Sequence, residues 1–166
     1  MVWVKSEYAG ELTVLSAWAT FLLPWSFTFA QLPPGQVVII RFVPLQLQFL
    51  FNFSLGDLER PLLAVWEVPG FQTSTGNTVA AWLWVAAAAL LVAAVALSVA
   101  YYLREDRVES MRVDPVRLMG GLLTAAGVAT AVATVVLWRY QTGLTVPVGV
   151  FFQLFLGVTL LRVERT

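Results

Sequence analysis

The chain contains no cysteine and no histidine. This absence excludes disulfides, thiolate metal sites and imidazole-ligated haem or zinc, as well as catalysis by a Cys–His or Ser–His–Asp arrangement. Lysine and arginine together number 10, as do aspartate and glutamate, so the formal net charge is zero. No basic field therefore favours nucleic acid. The sequence predicts no cofactor, no metal site and no nucleic-acid partner.

Charge is also scarce, since 59% of the 166 residues are hydrophobic and only 12% are charged. A soluble domain of this length could not bury so much apolar surface. Residues 77–103 carry no charged side chain, and about 20 apolar residues suffice to span a bilayer core. The chain is therefore predicted to be a single membrane domain over residues 1–166. The predicted fold is an all-α transmembrane bundle with four spans, at residues 11–30, 77–103, 116–139 and 146–162.

The predicted external region, residues 31–76, contains a segment with two interpretations. From Leu45 to Ser54 apolar and polar residues nearly alternate, which is typical of a strand. In the first interpretation residues 36–53 form a short external β-hairpin, and the N-terminus is cytoplasmic. In the second they form a fifth span interrupted by Pro44, and the N-terminus is external. Lys5 favours the first interpretation, and both alternatives stay open at this point.

The predicted orientation follows from the basic residues at the segment ends. The loop 104–115 and the C-terminus together carry five arginines, and cytoplasmic segments are enriched in Lys and Arg. Both are therefore predicted to be cytoplasmic in a multi-pass protein of the cell membrane. Aromatic residues at the ends of the predicted spans are typical of interface belts: Trp82, Trp84, Tyr101, Tyr102, Trp138 and Tyr140.

Three short motifs predict where helices begin. Asp114-Pro115 combines an N-cap acceptor with a proline suited to the first helical position. Asn77 is predicted to cap the second span, and Val146-Pro147 is predicted to open the last one. These separate starts favour distinct helices over one long apolar block.

Small residues recur at spacings of three and four in the second and third spans. Such spacing lets helix backbones approach closely where lipid supplies no hydrophobic drive. The two spans are predicted to form a tight hairpin and to pack through Ala89, Ala93, Ala96, Ala100, Gly120, Gly121, Thr124, Gly127 and Ala131.

Few polar residues lie within or beside the apolar segments. A charge such as Arg41 near a membrane segment is a functional hypothesis by default, with an acidic group or an anionic lipid head as its partner. The alternative is that Arg41 only anchors the chain at the interface. Gln153 is predicted to hydrogen-bond across a helix interface or to line a path. The candidate polar, partner or lipid contacts are Arg41, Gln46, Gln48, Asn52 and Gln153.

The N-terminal sequence MVWVKSEYAGELTVLSAW, followed by LLPWS, resembles a family of small multi-pass membrane proteins of halophilic archaea that has no assigned function. The resemblance implies a cell-membrane location. It implies no activity, and there are no functional residues to carry over. No residue is therefore predicted to be catalytic.

Two functional hypotheses remain. The first is a non-catalytic accessory or scaffold subunit that packs against other membrane chains, as a homo- or hetero-oligomer surrounded by lipid. The second is a small oligomeric transporter or channel in which Arg41, Gln46, Gln48 and Asn52 line a cavity. A membrane enzyme is a third class. It would depend on Arg60 or on external carboxylates such as Asp57, Glu59 and Glu67, which no recognisable motif organises.

Overall fold

The computed structural model describes residues 9–52, 54, 60–103 and 114–162. Within these ranges the chain forms four α-helices, five β-strands and one short 3₁₀ helix. The helices are α1 (Ala9–Leu22), α2 (Thr75–Leu103), α3 (Pro115–Tyr140) and α4 (Val148–Arg162), and the 3₁₀ helix is Val68–Phe71. The strands are β1 (Ser26–Leu32), β2 (Gly35–Arg41), β3 (Leu45–Phe51), β4 (Leu62–Ala64) and β5 (Leu144–Val146). Lys5, the loop 104–113, Asp57 and Glu59 lie outside the described residues.

The strands form one antiparallel sheet in the order β4-β3-β2-β1-β5. Strands β1, β2 and β3 follow one another as a meander, whereas β5 joins the free edge of β1 after α2 and α3 have intervened. The predicted all-α bundle is therefore wrong, and the protein combines helices with a sheet. The fifth span is also wrong, because residues 35–51 form two paired strands and Pro44 lies in the turn between them.

The first predicted span, residues 11–30, is divided between a helix and a strand. Helix α1 ends at Leu22, two residues before Pro24, and proline is disfavoured within a helix because it lacks an N–H and clashes with the preceding turn. Beyond it, small polar residues alternate with Phe27 and Phe29, which suits the two faces of β1. The prediction of a continuous helix through Ala30 is wrong for this reason.

Helix length separates the long central helices from the short flanking ones. At 1.5 Å per residue, α1 with 14 residues and α4 with 15 are only about 21–22 Å long. A bilayer core is about 30 Å thick. Among the described helices, α2 with 29 residues and α3 with 26 are long and apolar enough to cross a membrane. The fourth predicted span, 146–162, begins inside β5, and its helix starts only at Val148.

The helix starts agree with one predicted cap and differ from another. The Asp114 side chain accepts a hydrogen bond from the backbone N–H of Val116 at 2.9 Å, and Pro115 is the first residue of α3. That prediction is confirmed. Helix α2 begins at Thr75, where the Ser74 hydroxyl oxygen accepts from the N–H of Asn77 at 3.2 Å. Asn77 therefore lies in the first turn and is not the cap.

The helical hairpin of α2 and α3 packs more extensively than any other pair of elements. Helix α2 turns its buried face inward through residues that include Trp84, Ala87, Leu91 and Ala94. The predicted alanines lie on another face, since Ala89, Ala93 and Ala96 are exposed and Ala100 is half-buried. Alanine occurs all around α2, so the sequence does not mark one face.

Two glycines of α3, Gly120 and Gly127, contact α4 rather than α2. A methyl group built on Gly120 would lie 2.9 Å from Leu160, and one built on Gly127 would lie 2.8 Å from Leu154. Thr124 packs against Gly157, where a methyl group would lie 2.5 Å from the Thr124 hydroxyl oxygen. The remaining predicted positions, Gly121 and Ala131, are half-buried. Close approach of α3 and α4 therefore depends on small residues on both helices.

One hydrophobic core joins the helices to the sheet. Trp25, between α1 and β1, packs against Trp84 of α2 with ring centroids 5.7 Å apart and planes tilted by 55°. Trp84 also donates its indole N–H to the carbonyl oxygen of Phe42 at 3.1 Å. The same core contains Val43, Leu63, Leu91, Leu123 and Leu160.

Candidate functional site

Arg41 is the last residue of β2 and is buried against the ends of the central helices. Its side chain is 6% exposed. One guanidinium nitrogen, Nη1, donates to the Thr28 hydroxyl oxygen at 2.6 Å, and Nη2 donates to Gln141 Oε1 at 3.2 Å. Gln141 directly follows α3. The arginine therefore links the sheet to the end of α3.

Thr28 extends this network to the edge strand. Its hydroxyl oxygen lies 2.9 Å from that of Thr145 in β5, and both side chains are buried. The two residues are directly opposite each other in the β1–β5 pairing. We call Thr28, Arg41, Gln141 and Thr145 the Arg41 cluster. It connects β1, β2, β5 and the end of α3 through side chains alone.

The charge of the Arg41 cluster has no opposite charge beside it in the described part of the chain. The ion pairs found there join Arg60 to Glu67 at 3.7 Å and Arg117 to Asp114 at 4.0 Å. Burial lowers the pKa of Arg41 to about 10, so the guanidinium stays protonated at neutral pH. A buried charge is costly unless it is paired and hydrogen-bonded, and both acceptors, Thr28 and Gln141, are neutral.

A small cavity of about 10 Å³ lies beside Arg41, between the sheet and the start of α2. This volume is about that of one water molecule. Trp25 lines the cavity and is 1% exposed, yet its indole N–H has no acceptor among the described residues. Asn77 also lines it, and its Oδ1 is buried without a partner in the same ranges. The cavity thus brings a cation together with unused hydrogen-bonding groups.

The outward face of the sheet is more apolar than the face turned toward the helices. Antiparallel sheets commonly place apolar residues toward the core and polar residues toward water. Here the face turned toward the helices is mixed. Its polar residues are Ser26, Thr28, Arg41, Gln46, Gln48 and Thr145, and its apolar residues are Ala30, Val37, Ile39, Leu50 and Leu63. The opposite face, which we call the outer sheet face, carries Phe27, Phe29, Val38, Ile40, Leu47, Phe49, Phe51, Leu144 and Val146.

The outer sheet face is open in a single copy. Phe29 is 49% exposed, Phe51 is 50% exposed and Leu144 is 65% exposed. None of the residues that form this face is charged, and Gln31 and Gln36 are its polar members near the β1–β2 turn. The face is therefore an apolar surface without a partner in the described chain.

The structure distributes the predicted polar residues over separate places. Gln46 and Gln48 neighbour Arg41 on the inner side of the sheet, where Gln46 Nε2 donates to Gln48 Oε1 at 3.3 Å. Asn52 is exposed beyond the end of β3, with a positive φ of 63°. Gln153 is buried between α3 and α4, where its Oε1 accepts from the Thr130 hydroxyl at 2.8 Å. These residues do not form one continuous path.

Sequence reasoning identified Arg41 but missed its partners Thr28, Gln141 and Thr145. The alternation Ser26-Phe27-Thr28-Phe29-Ala30 was the available signal for Thr28, because it predicts one polar face. Thr145 had no local signal, since its contact with Thr28 joins residues 117 positions apart. Among the described residues, no group of three or more Asp, Glu, His or Cys could hold a metal ion.

Helices and an antiparallel sheet around a common core thus define a mixed α and β protein with two helices of spanning length. The chain belongs to a family of unknown function (DUF7549), whose sequence profile matches residues 2–165. No protein with a curated description matches the chain at a significant level. Because the match covers nearly the whole chain, the helices, the sheet and the Arg41 cluster all fall within this family region.

Proposed function

We propose that the protein is a non-catalytic integral membrane protein that acts as a structural subunit, and that copies of it associate through the outer sheet face. In this proposal α2 and α3 span the membrane of the cell, and the loop between them is cytoplasmic. The sheet is external. The resemblance to small membrane proteins of halophilic archaea supports the same location.

The observation that carries the proposal is the exposure of the outer sheet face. Apolar residues from β1, β2, β3 and β5 lie side by side on it without a charge among them. Large exposed apolar patches on proteins mark interaction sites. A sheet face that is exposed to water usually carries polar residues. The arrangement therefore favours a covered surface in the assembled protein.

The aromatic residues of α2 indicate which part of this helix would lie within the bilayer. Trp82 and Tyr102 are exposed, and 20 residues of helix separate them by about 30 Å, which matches a bilayer core. Trp and Tyr are enriched at both interfaces. The hydrogen bond from Trp84 to Phe42 brings the β2–β3 turn close to the outer aromatic level. The sheet would then extend outward from the interface, where exposed backbone edges can meet water.

A second copy of the chain is the occupant that we propose for the outer sheet face. Two-fold association places the same patch on both subunits, and an uncharged patch meets itself without like-charge repulsion. The sheet surface measures about 20 by 23 Å from strand spacing and rise. Stable interfaces bury about 800 Å² per partner, and the sheet surface alone would supply roughly half of this area.

The transporter hypothesis receives less support from the described residues. Arg41 is bonded to Thr28 and Gln141, and Gln153 is bonded to Thr130 at a separate place between helices. A conducting path needs polar groups in a continuous series. The placement of these residues favours internal linkage over transport.

The test is the oligomeric state of the purified full chain in mild detergent. We expect a dimer by light scattering, and we expect the double variant Phe29→Ser, Phe49→Ser to be monomeric because it removes two aromatic side chains from the outer sheet face. The matched control is Val92→Ser, Val128→Ser, which changes two exposed residues on the central helices and should leave the dimer intact. A monomeric wild-type chain, or a Phe variant that remains dimeric, contradicts the proposal. A complex formed only with a different protein also contradicts self-association.

A further inference from the structure

We propose that the cavity beside Arg41 is a binding site for a monatomic anion of the size of chloride. The site is formed by the Arg41 guanidinium, the Trp25 indole N–H and the first turn of α2 at Asn77. It concerns the interior of one subunit, so it does not depend on the assembly proposed above.

The charge balance around Arg41 is the first argument. A guanidinium carries five N–H donors, and the hydrogen bonds to Thr28 and Gln141 engage two of its nitrogens. Both acceptors are neutral, and the ion pairs of the described chain lie elsewhere. A bound anion would supply the opposite charge that a buried cation requires.

The donors that line the cavity are the second argument. The indole N–H of Trp25 can only donate, and this side chain is almost completely buried without an acceptor among the described residues. The same cavity is lined by Asn77, in the first turn of α2. Helix N-termini carry a partial positive charge and favour anions. The side-chain amide of Asn77 can present its NH₂ group to the cavity after rotation of the amide, which exchanges the positions of N and O.

The size of the cavity selects the class of anion. A volume of about 10 Å³ is close to that of a single water molecule. A carboxylate or a phosphate has several heavy atoms and exceeds this space. Val68, Ala80 and Leu137 in the cavity wall have apolar side chains without donors, and the amide of Gln72, which also lines it, already donates to the Val68 carbonyl oxygen at 3.2 Å. The geometry therefore favours a halide ion over a larger anion.

Thermal unfolding in matched salts tests the proposal. The full chain in detergent is titrated with sodium chloride, and sodium gluconate is used to hold ionic strength constant. A ligand that binds only the folded state stabilises it by RT ln(1 + [L]/Kd), so we expect Tm to rise with chloride and to saturate. A wild-type Tm that is the same in both salts at every concentration would overturn the proposal.

Two variants and one control assign the effect to the site. Trp25→Phe keeps the aromatic ring but removes the N–H, so we expect the apparent chloride affinity to fall about tenfold, as for loss of one hydrogen bond to an ion. Arg41→Gln is expected to abolish the saturable response. Arg60→Gln removes an external arginine that pairs with Glu67 and should respond like the wild type. If Arg41→Gln does not fold, the test depends on Trp25→Phe. An apparent chloride affinity of Trp25→Phe equal to that of the wild type would contradict the proposed site.

Discussion

The indole N–H of Trp84 lies 3.1 Å from the carbonyl oxygen of Phe42 and donates a hydrogen bond to it. This contact joins the third turn of α2 to the turn between β2 and β3. The Trp84 ring also packs against Trp25. A single side chain therefore connects α2 to the β2–β3 turn and to the segment between α1 and β1.

Replacement of Trp84 should separate the hydrogen bond from the packing. Trp84→Phe removes the N–H and leaves the Phe42 carbonyl without this donor, so the free energy of unfolding should fall by about 1–3 kcal/mol. Trp84→Ala also leaves a cavity and should cost about 3–5 kcal/mol. Unfolding by denaturant in detergent measures both values. Trp82→Phe, at an exposed position of the same helix, is the control and should change stability by less than about 0.5 kcal/mol.

Removal of the Thr28 hydroxyl should lower the free energy of unfolding more than removal of the Thr145 hydroxyl. The Thr28 hydroxyl accepts from the Arg41 guanidinium and bonds to Thr145. Thr28→Val removes an acceptor from a buried charge and should lower the free energy of unfolding by about 1.5–3 kcal/mol, whereas Thr145→Val breaks a neutral bond and should cost about 1 kcal/mol. Thr142→Val, at an exposed position, should be neutral. Equal losses at positions 28 and 145 would contradict the charge-assisted bond to Arg41.

The buried pair Thr130 and Gln153 should show an asymmetric response to single and double substitution. Their side-chain oxygens are 2.8 Å apart, and Gln153 Nε2 has no partner among the described residues. Thr130→Val removes the hydrogen bond to Gln153 Oε1 and should lower the free energy of unfolding by about 1–3 kcal/mol. Replacement of both polar partners by apolar residues can be nearly neutral. The double variant Thr130→Val, Gln153→Leu should therefore be more stable than Thr130→Val alone. Thermal unfolding of the wild type, the two single variants and the double variant measures the coupling free energy between Thr130 and Gln153.

Two glycines of the helices provide a test of close packing. A methyl group at Gly157 would lie 2.5 Å from the Thr124 hydroxyl oxygen and 2.7 Å from the Thr124 backbone nitrogen. Gly157→Ala should therefore cost about 1–3 kcal/mol through overpacking. Gly121→Ala meets nothing within 4 Å and should be neutral or stabilising by up to about 1 kcal/mol, because alanine favours helix. The ranking of the two melting temperatures checks the α3–α4 contact.

The absence of native cysteine allows a direct measurement of the proposed orientation. A single cysteine introduced by Thr142→Cys, just after α3, should react in intact cells with a membrane-impermeant maleimide. A cysteine introduced by Ser110→Cys, between the end of α2 and the start of α3 in the sequence, should react only after the membrane is opened. The reverse labelling pattern would invert the proposed topology, and labelling of both in intact cells would contradict a spanning hairpin.

The sequence was sufficient for the two long helices and insufficient for the sheet. Residues 77–103 and 116–139 contain more than 20 mostly apolar positions, and Asp114-Pro115 defines the start of α3 by its own local chemistry. In contrast, residues 11–30 have the average hydropathy of a span although α1 ends at Leu22. Average hydropathy does not distinguish a Phe-rich strand from a helix, and only the short period-two pattern after Pro24 does.

The candidate site was predictable in part for a related reason. Arg41 is conspicuous because a charge is rare in this chain, but its burial and its partners depend on which strands pair. Strand β5 contains only three residues, too few for a periodic signal. The inward face of α2 likewise depends on the neighbouring elements, because its alanines are too evenly distributed to define a stripe.

The bond between Thr28 and Thr145 has a consequence for synthesis of the chain. The two residues are 117 positions apart, so at 5–20 residues per second Thr145 is made roughly 6–23 s after Thr28. During that interval the edge of β1 that receives β5 has no strand beside it, while α2 and α3 are translated. Completion of the sheet must therefore follow production of the helical hairpin, and any factor that delays the hairpin prolongs the time for which the β1 edge is open to other chains.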